Sequence, residues 1–476
     1  MTDLPEFELS LMTALRAAVE YRDDAPEAPA FPTHSAAELR HAFDIGLGDN
    51  GRPGPEVISD LIRAAEGGLA GNTKSNFFSW VQGGSHPTAV AADLLTSAWG
   101  QNAGLYQMSP AAAIAEEIAG KWLLELLALP TTASIGFTTG ATMANFIGLA
   151  VARNEVLKRL GYDLERDGMT GAPRITVIVG TEVHTTVMSD LRLLGFGQRN
   201  LVVVDSDVQG RMLATDLEAK LQDITGPIIL VAQAGHINSG AFDPFEDIIP
   251  LAHRYGAWVH IDGAFGLWAN AARPLQHLCK GIERADSWSV DGHKWLQVPY
   301  DSGFSIVRDV AAHKAVMSVT ASYLTSSPDD GKNPSAYVPE LSRRARGFAV
   351  WATLQALGRQ GVRDMILGHC QNAQHLANRL NQEAGIHILN DVVLNQVAVA
   401  FGHNGPDDAL TEAVLDSLKA ENSHFVLGAH WRGHTILRIS VISLMTRTTD
   451  IDLLADSIVR AWSQHKHTPL TTSAHR

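Results

Sequence analysis

The sequence predicts an α/β protein, with a large domain built on a mostly parallel sheet and a smaller C-terminal α/β domain after it. Between residues 132 and 308, six short apolar or β-branched runs alternate with helical stretches; they lie at 174–180, 201–205, 227–233, 258–262, 287–291 and 303–308. Continuous apolar strands separated by helices belong to sheets that are covered on both faces. Two further runs, 394–402 and 436–442, lie beyond a helical region and call for a second core. The length of 476 residues agrees, being more than one ordinary core accommodates.

From the N-terminus, residues 22–35 are rich in proline, alanine and acidic groups and read as a connecting or draping segment. A second break, Asp49-Asn50-Gly51-Arg52-Pro53-Gly54-Pro55, follows. The division expected is a helical arm over 1–80, a large domain over 81–344 and a small domain over 345–476. Ser109 can cap a helix whose first turn suits Pro110, with Ile114, Ile118, Trp122 and Leu126 on one face and Pro130 as its stop. Phe137 to Thr142 leads into a helix from Met143 to Leu160, closed by Gly161. Residues 324–340, rich in proline, glycine and aspartate, read as a lid or a disordered link. Helical segments at about 345–360 and 362–384 complete the connection to the second core.

Composition bounds the function. A formal charge of −14 argues against a nucleic-acid surface, while leaving room for a local basic pocket. Cys279 and Cys370 are too few for a disulfide framework or a zinc site, so no metal and a reducing cytoplasm are expected. Met1 to Ser10 has no signal-peptide pattern, and no apolar run is long enough to span a bilayer. The polar tail after Trp462 contains His465 and His467 and reads as a solvated terminus.

In doubly covered sheets, ligands sit outside the carboxyl ends of the strands. Ser289-Val290-Asp291-Gly292-His293-Lys294-Trp295 puts a lysine just past one such end, and Trp258-Val259-His260-Ile261-Asp262 ends another on a carboxylate. A buried lysine is costly as a cation, which makes a free amine available to an aldehyde. Asp262 can serve as a turn or cap residue; alternatively it pairs with a protonated ring nitrogen. Together the two match the protein groups that hold pyridoxal 5'-phosphate. Gly140, Ala141 and Thr142 open a helix, where backbone N–H groups and the helix dipole favour a phosphate, although a glycine before a helix is common. His184 follows a strand and a short turn; it is either a core or surface histidine or a flat ring stacked on the cofactor. There is no Walker A motif and no G-x-G-x-x-G with an acidic partner, so nucleotide binding has little support.

The ordered set of marks resembles the group II pyridoxal-phosphate decarboxylases, the family of aromatic-amino-acid, glutamate and diaminobutyrate decarboxylases. The marks are Ser109-Pro110, Thr139-Gly140-Ala141-Thr142, Glu182-Val183-His184, His260-Ile261-Asp262-Gly263-Ala264-Phe265, Ala285-Asp286-Ser287-Trp288, His293-Lys294-Trp295 and Leu437-Arg438-Ile439-Ser440. They span about residues 75 to 445. The resemblance implies an aspartate-aminotransferase-like fold (fold type I) with a seven-stranded sheet, in a homodimer whose active sites lie at the interface. It implies Lys294 as the cofactor-bearing lysine, Asp262 as the pyridinium partner and His184 as the stacking ring, with Ala264 on the opposite face. Gly140, Ala141 and Thr142, helped by Ser287 and His293, would hold the phosphate. Tyr337, in the loop segment, would return a proton to the substrate carbon from the partner subunit. The implied reaction converts an L-amino acid to its amine and CO2.

Departures from the family pattern bear on the substrate. The usual Asn-Pro before His-Lys is Asp291-Gly292 here, and a threonine-rich turn reads Gly235-His236-Ile237-Asn238-Ser239. Trp80 and Tyr106 fall in the region expected to line the pocket, which favours an aromatic or bulky apolar amino acid. Another carbon–carbon lyase or an aldehyde synthase on the same scaffold is the alternative. Transamination has less support, because no arginine stands out for a substrate carboxylate. A catalytically silent homologue is opposed by the joint presence of Lys294, Asp262 and His184.

Overall fold

The computed structural model describes residues 4–23, 29–318 and 331–467. Three helices form an N-terminal layer: α1 (Leu4–Asp23), α2 (Ala36–Phe43) and α3 (Gly54–Ala65). Next come α4 (Pro87–Trp99) and α5 (Pro110–Leu126). The large sheet contains β1 (Ser134–Thr138), β2 (Thr176–Gly180), β3 (Leu201–Val204), β4 (Ile228–Gln233), β5 (Trp258–Asp262), β6 (Ser287–Asp291) and β7 (Gly303–Val307). Helices α6 (Ala141–Lys158), α7 (Leu164–Asp167), α8 (Thr185–Leu193), α9 (Ala214–Gln222), α10 (Phe245–Arg254) and α11 (Val310–Met317) alternate with or follow these strands.

The strand order is β1-β7-β6-β5-β4-β2-β3, and β7 runs antiparallel to both of its neighbours. β2 through β6 pair in parallel, so their carboxyl ends share one edge. The central strands β4, β5 and β6 are buried at every residue, which is why they read as unbroken apolar runs. The sequence pattern does not show β1, which is short and carries Gly136. A side chain at Gly136 would stand 2.4 Å from the Tyr337 carbonyl oxygen, so packing against that backbone sets this residue.

The long helix α12 (Gly347–Leu380) joins the two cores and is interrupted at Gly358, with φ 61° and ψ 178°. The two helical stretches expected here therefore abut at a glycine that supplies the left-handed break. The small domain holds β8 (Ile386–Ile388), β9 (Gln396–Phe401), α13 (Asp408–Glu421), β10 (Leu427–Trp431), β11 (His434–Ser440) and α14 (Thr448–His465). Its antiparallel sheet has the order β10-β11-β9-β8. β10 alternates partly and fully exposed positions through Gly428, Ala429 and His430, residues of low strand propensity, and gives no apolar run.

One local expectation changes. Ser109 does not cap α5; its hydroxyl donates to Gln101 Oε1 at 2.9 Å. At the end of the N-terminal arm, Phe78 lies in the small-domain core, its amide donating to the Phe425 carbonyl and its carbonyl accepting from the Ser440 amide. The loop expected at 324–340 lies outside the described residues up to 330, as do residues 24–28 of the connecting segment. Among the described residues no helix is long and apolar enough to cross a membrane.

Candidate active site

At the shared carboxyl edge of the large sheet lies a cavity of about 250 Å³. Its walls include the start of α6 from Thr139 to Thr142, His184 and Thr186, Gln233, Asp262 and Ala264, and His293 and Lys294. Each group arrives on a rigid element. Asp262 closes β5, Lys294 stands three residues past β6, His184 is the N-cap of α8, and Gly140 is the N-cap of α6. The α6 entry is tight. A Cβ at Gly140 would meet the His293 ring at 2.8 Å, and one at Gly303 would come 2.4 Å from Gly140 Cα. From the other side, residues 83–86 clasp the lysine turn. The Gly83 N–H donates to the His293 carbonyl at 3.3 Å, and a Cβ at Gly83 would lie 2.2 Å from the Lys294 carbonyl oxygen.

Asp291, buried at the end of β6, links three parts of the site. Its Oδ1 accepts from the Ala141 amide at 2.5 Å and faces His293 Nε2 at 3.3 Å, while Oδ2 pairs with Lys294 Nζ at 2.8 Å. The lysine is therefore a paired group instead of the isolated buried amine the motif suggested. His293 Nδ1 accepts from the Ser302 amide at 3.2 Å, and its ring stacks on Tyr300 at 4.3 Å. Burial lowers the His293 pKa, and Asp291 opposes that shift.

His184 is held at both ends. Its amide donates to Gln233 Oε1 at 2.8 Å, and its Nδ1 meets the Thr186 hydroxyl at 2.7 Å. Burial lowers its pKa, Asp262 opposes, and the charges of Lys294 and Arg438 add to the lowering, so the ring is favoured as neutral imidazole. Asp262 Oδ1 accepts from the Ala264 amide at 3.1 Å and from the Ser289 hydroxyl at 3.4 Å. Behind Asp262, Asn145 Oδ1 on α6 accepts from Ser289 at 2.5 Å and from His260 Nε2 at 2.9 Å. His260 Nδ1 then accepts from Ser287 at 2.8 Å, which requires a neutral ring, and burial pushes its pKa down to about 3.

The structure brings together Lys294, Asp262, His184, Gly140, Ala141, Thr142, Ala264 and His293. It does not bring Ser287 to the phosphate cradle. Ser287 begins β6, the strand's length away from Asp291, and its hydroxyl is taken by Trp258 Nε1 and His260. Tyr337, expected to act from the partner subunit, does not line this chain's own cavity. It is 5% exposed between β1 and α11, its carbonyl accepts from His313 Nε2 at 2.9 Å, and its ring stands edge-on to His313. Trp80 and Tyr106 likewise do not line the cavity. Two contributors, Gln233 and Asn145, gave no usable signal in the sequence, and a third, Arg438, enters there only as part of a family mark, with no role at the site. Gln233 ends β4 and holds His184, Asn145 stands behind Asp262, and Arg438 arrives on β11 of the small domain. Arg438, whose pKa burial lowers, bonds Asn238 Oδ1 at 3.4 Å and projects its charge onto His184. His236 turns away from the cavity to pair with Asp243 at 3.3 Å.

These residues fit pyridoxal phosphate. The cavity presents a lysine amine, a carboxylate at a strand end, a flat imidazole and the N-terminus of α6, where the Ala141 N–H is taken by Asp291 and the N–H groups that follow in the first turn have no intrahelical partners. A glycine-lined entry keeps the helix close enough for those N–H groups to reach an anion.

Residues 37–402 match the model of the pyridoxal-dependent decarboxylase conserved domain. The acidic amino acid decarboxylase GADL1 of Mus musculus is 25% identical over 88% of this chain and 79% of its own length. The L-2,4-diaminobutyrate decarboxylase of Rhizobium meliloti (strain 1021) is 30% identical over 68% of this chain and 65% of its own. Among solved structures, Oryza sativa TDC with PLP and tryptamine superposes with a TM-score of 0.90 at 21% identity, covering 97% of this chain and 98% of that one, a likeness of fold.

Proposed function

Because the chain belongs to the pyridoxal-dependent decarboxylase family, and is a pyridoxal-phosphate-dependent amino-acid carboxy-lyase, we propose that the cavity at Lys294 is where an L-amino acid loses CO2 to leave its amine. The observation that carries this reading is the convergence of Lys294, Asp262, His184 and the α6 N-terminus on one cavity. When bound, the cofactor supplies an aldehyde carbon for attachment and a ring that accepts electrons. Lys294 would be the attachment amine, and Asp291, which pairs with it at 2.8 Å, would hold it at the cavity when it is free. Asp262 holds a proton on the ring nitrogen. His184 and Ala264, both on the cavity wall, would confine the cofactor's ring, and His184, favoured as a neutral imidazole, would help orient the substrate carboxylate. Gly140, Ala141, Thr142 and His293 hold the phosphate.

A second reading of the substrate has its own support. Without Trp80 and Tyr106 on the cavity wall, the case for an aromatic side chain rests on Ile237 and Phe265 alone. Arg438, whose charge reaches His184, favours a substrate carrying an additional carboxylate. The test is mass spectrometry of products after the loaded enzyme meets a mixture of amino acids. A single amine supports decarboxylation and names the substrate. Aldehyde with ammonia points to the synthase alternative, and no amine at all overturns the reading.

We also infer a homodimer and a cytoplasmic location. Phe7, Leu9, Met12, Leu15 and Val19 leave one side of α1 half-exposed, and Leu94, Leu95, Trp99 and Trp351 do the same on α4 and α12. Apolar surface of that extent is normally covered, and a second copy of the chain is the occupant that the family suggests. Sedimentation at micromolar concentration should give twice the 51.3 kDa chain mass, and a monomer would refute the dimer. The free thiols Cys279 and Cys370 suit a reducing compartment.

A further inference from the structure

Asp291-Gly292 stands where the family pattern has Asn-Pro, and the chemistry of decarboxylation does not by itself call for the exchange. The Gly292 amide donates to the Ser302 carbonyl at 3.0 Å, a bond that proline cannot make. A Cβ at Gly292 would stand 2.5 Å from Ser302 Oγ and 3.0 Å from the Phe304 ring, so the lysine turn lies directly on the start of β7. The Asp291 backbone is held on both sides. Its amide donates to the Ala264 carbonyl at 2.9 Å, and its carbonyl accepts from Trp268 Nε1 at 2.9 Å. The carboxylate therefore leaves a fixed backbone, and the residue is 2% exposed.

That carboxylate takes the end of α6 that favours anions. Oδ1 accepts from the Ala141 amide, the first N–H of the helix, at 2.5 Å, and Oδ2 pairs with Lys294 Nζ at 2.8 Å. His293 Nε2 stands 3.3 Å from Oδ1, but burial lowers the pKa of that ring, which makes it a weak counter-charge. Among the described residues, Lys294 is the ammonium that pairs with Asp291. Asp291 lines the same cavity as Gly140, Ala141, His293 and Lys294. One side chain thus engages both a phosphate-binding N–H and the attachment amine. An asparagine here could still accept from Ala141, but it carries no charge and forms no ion pair with the lysine.

We propose that Asp291 is a positioning residue that sets how firmly the cofactor is held, a built-in anion that competes with the phosphate for the α6 start while it keeps Lys294 at the cavity. The inference rests on the reading that this cavity takes pyridoxal phosphate at Lys294 and the α6 N-terminus. Two anions at one helix start share a single dipole and repel each other. The ion pair with Lys294 offsets part of that repulsion and fixes the amine where attachment needs it. Asparagine would relieve the repulsion and give up the ion pair. The exchange to aspartate therefore trades a tight hold on the phosphate for a fixed lysine.

The experiment is calorimetric titration of the cofactor-stripped full chain with deoxypyridoxine phosphate, which has the ring and the phosphate but no aldehyde. Wild type is compared with Asp291→Asn and Asp291→Ser. Both uncharged variants should bind the probe about tenfold tighter, the scale of one like charge removed from a partly screened site. A purely structural part for Asp291 would lower the melting temperature and leave binding unchanged or weaker, and that result would overturn the inference. A second comparison starts from Lys294→Met, in which the carboxylate has lost its ammonium. Adding Asp291→Asn to it should tighten binding by about tenfold or more. Equal affinities of the single and double variants would also overturn the inference. Pyridoxal phosphate itself separates the two failures. If wild type takes up none and forms no borohydride-reducible adduct at Lys294, the reading of the cavity fails and this inference with it. If wild type loads at full stoichiometry and the Asp291 variants match its affinity for the probe, only this inference fails.

Discussion

Lys294 and Asp291 form the pair on which the site turns at the level of single residues. The sequence marks both, but the 2.8 Å contact between them changes the lysine from an isolated amine into one held by its own neighbour. Lys294→Ala is expected to abolish the borohydride-reducible cofactor adduct while leaving the fold intact. An adduct at full stoichiometry in that variant would assign the attachment to another lysine. Tyr337 carries the opposite prediction. Since its ring is buried against His313, Tyr337→Phe is expected to leave the amine product and kcat within about twofold of wild type, because a surplus hydroxyl away from the reacting atoms contributes little to the barrier. A shift toward aldehyde in product analysis would return Tyr337 to the chemistry.

At the scale of elements, the site depends on how tightly the helix starts are anchored. Arg343, four residues before α12, donates to the carbonyls of Ala103 and Phe137 and to Glu116 Oε1 on α5 at 2.7 Å. Both partners of this ion pair are buried, and burial raises the Glu116 pKa in spite of Arg343. Removing one member leaves a buried group uncompensated, so Arg343→Ala should cost about 3–5 kcal/mol by urea unfolding. A loss below about 1 kcal/mol would show that Glu116 protonates and the strand end relaxes without penalty. In the sequence, Gly140 reads as part of a helix start and Gly303 as the first residue of a strand run. Their actual constraint, mutual approach to within a Cβ's width, is not legible there, because it depends on β7 returning antiparallel beside β1.

For the whole molecule, stability against acid follows from three buried neutral histidines. Burial lowers the pKa of His260 to about 3 and those of His313 and His369 to about 4. Their folded pKa values lie below the unfolded one, so the stability they permit is complete above about pH 6.5 and is lost as pH falls toward 4. Each contributes about 1.4 kcal/mol per pH unit in that window. Urea unfolding at pH 6.5, 5.5 and 4.5 should show a progressive loss, whereas a flat profile would mean these rings charge without unfolding.

The sequence by itself determined the α/β class, the strands of the buried sheet centre, and, through the motifs around Lys294, Asp262 and His184, the pyridoxal-dependent decarboxylase family. These follow from local pattern: apolar runs of strand length, and chemically specific residues at their ends. It did not show β1 or β10, whose residues have weak strand propensity and gain their place from the strands beside them. Only the tertiary structure decided that Gln233 holds His184 and that Arg438 lies near it, while the Ser287 hydroxyl is taken by Trp258 and His260. Those outcomes depend on strand order and on the direction in which each buried side chain leaves its element. Crossover connections bring together residues far apart in the chain, and local periodicity carries no information about which of them will meet.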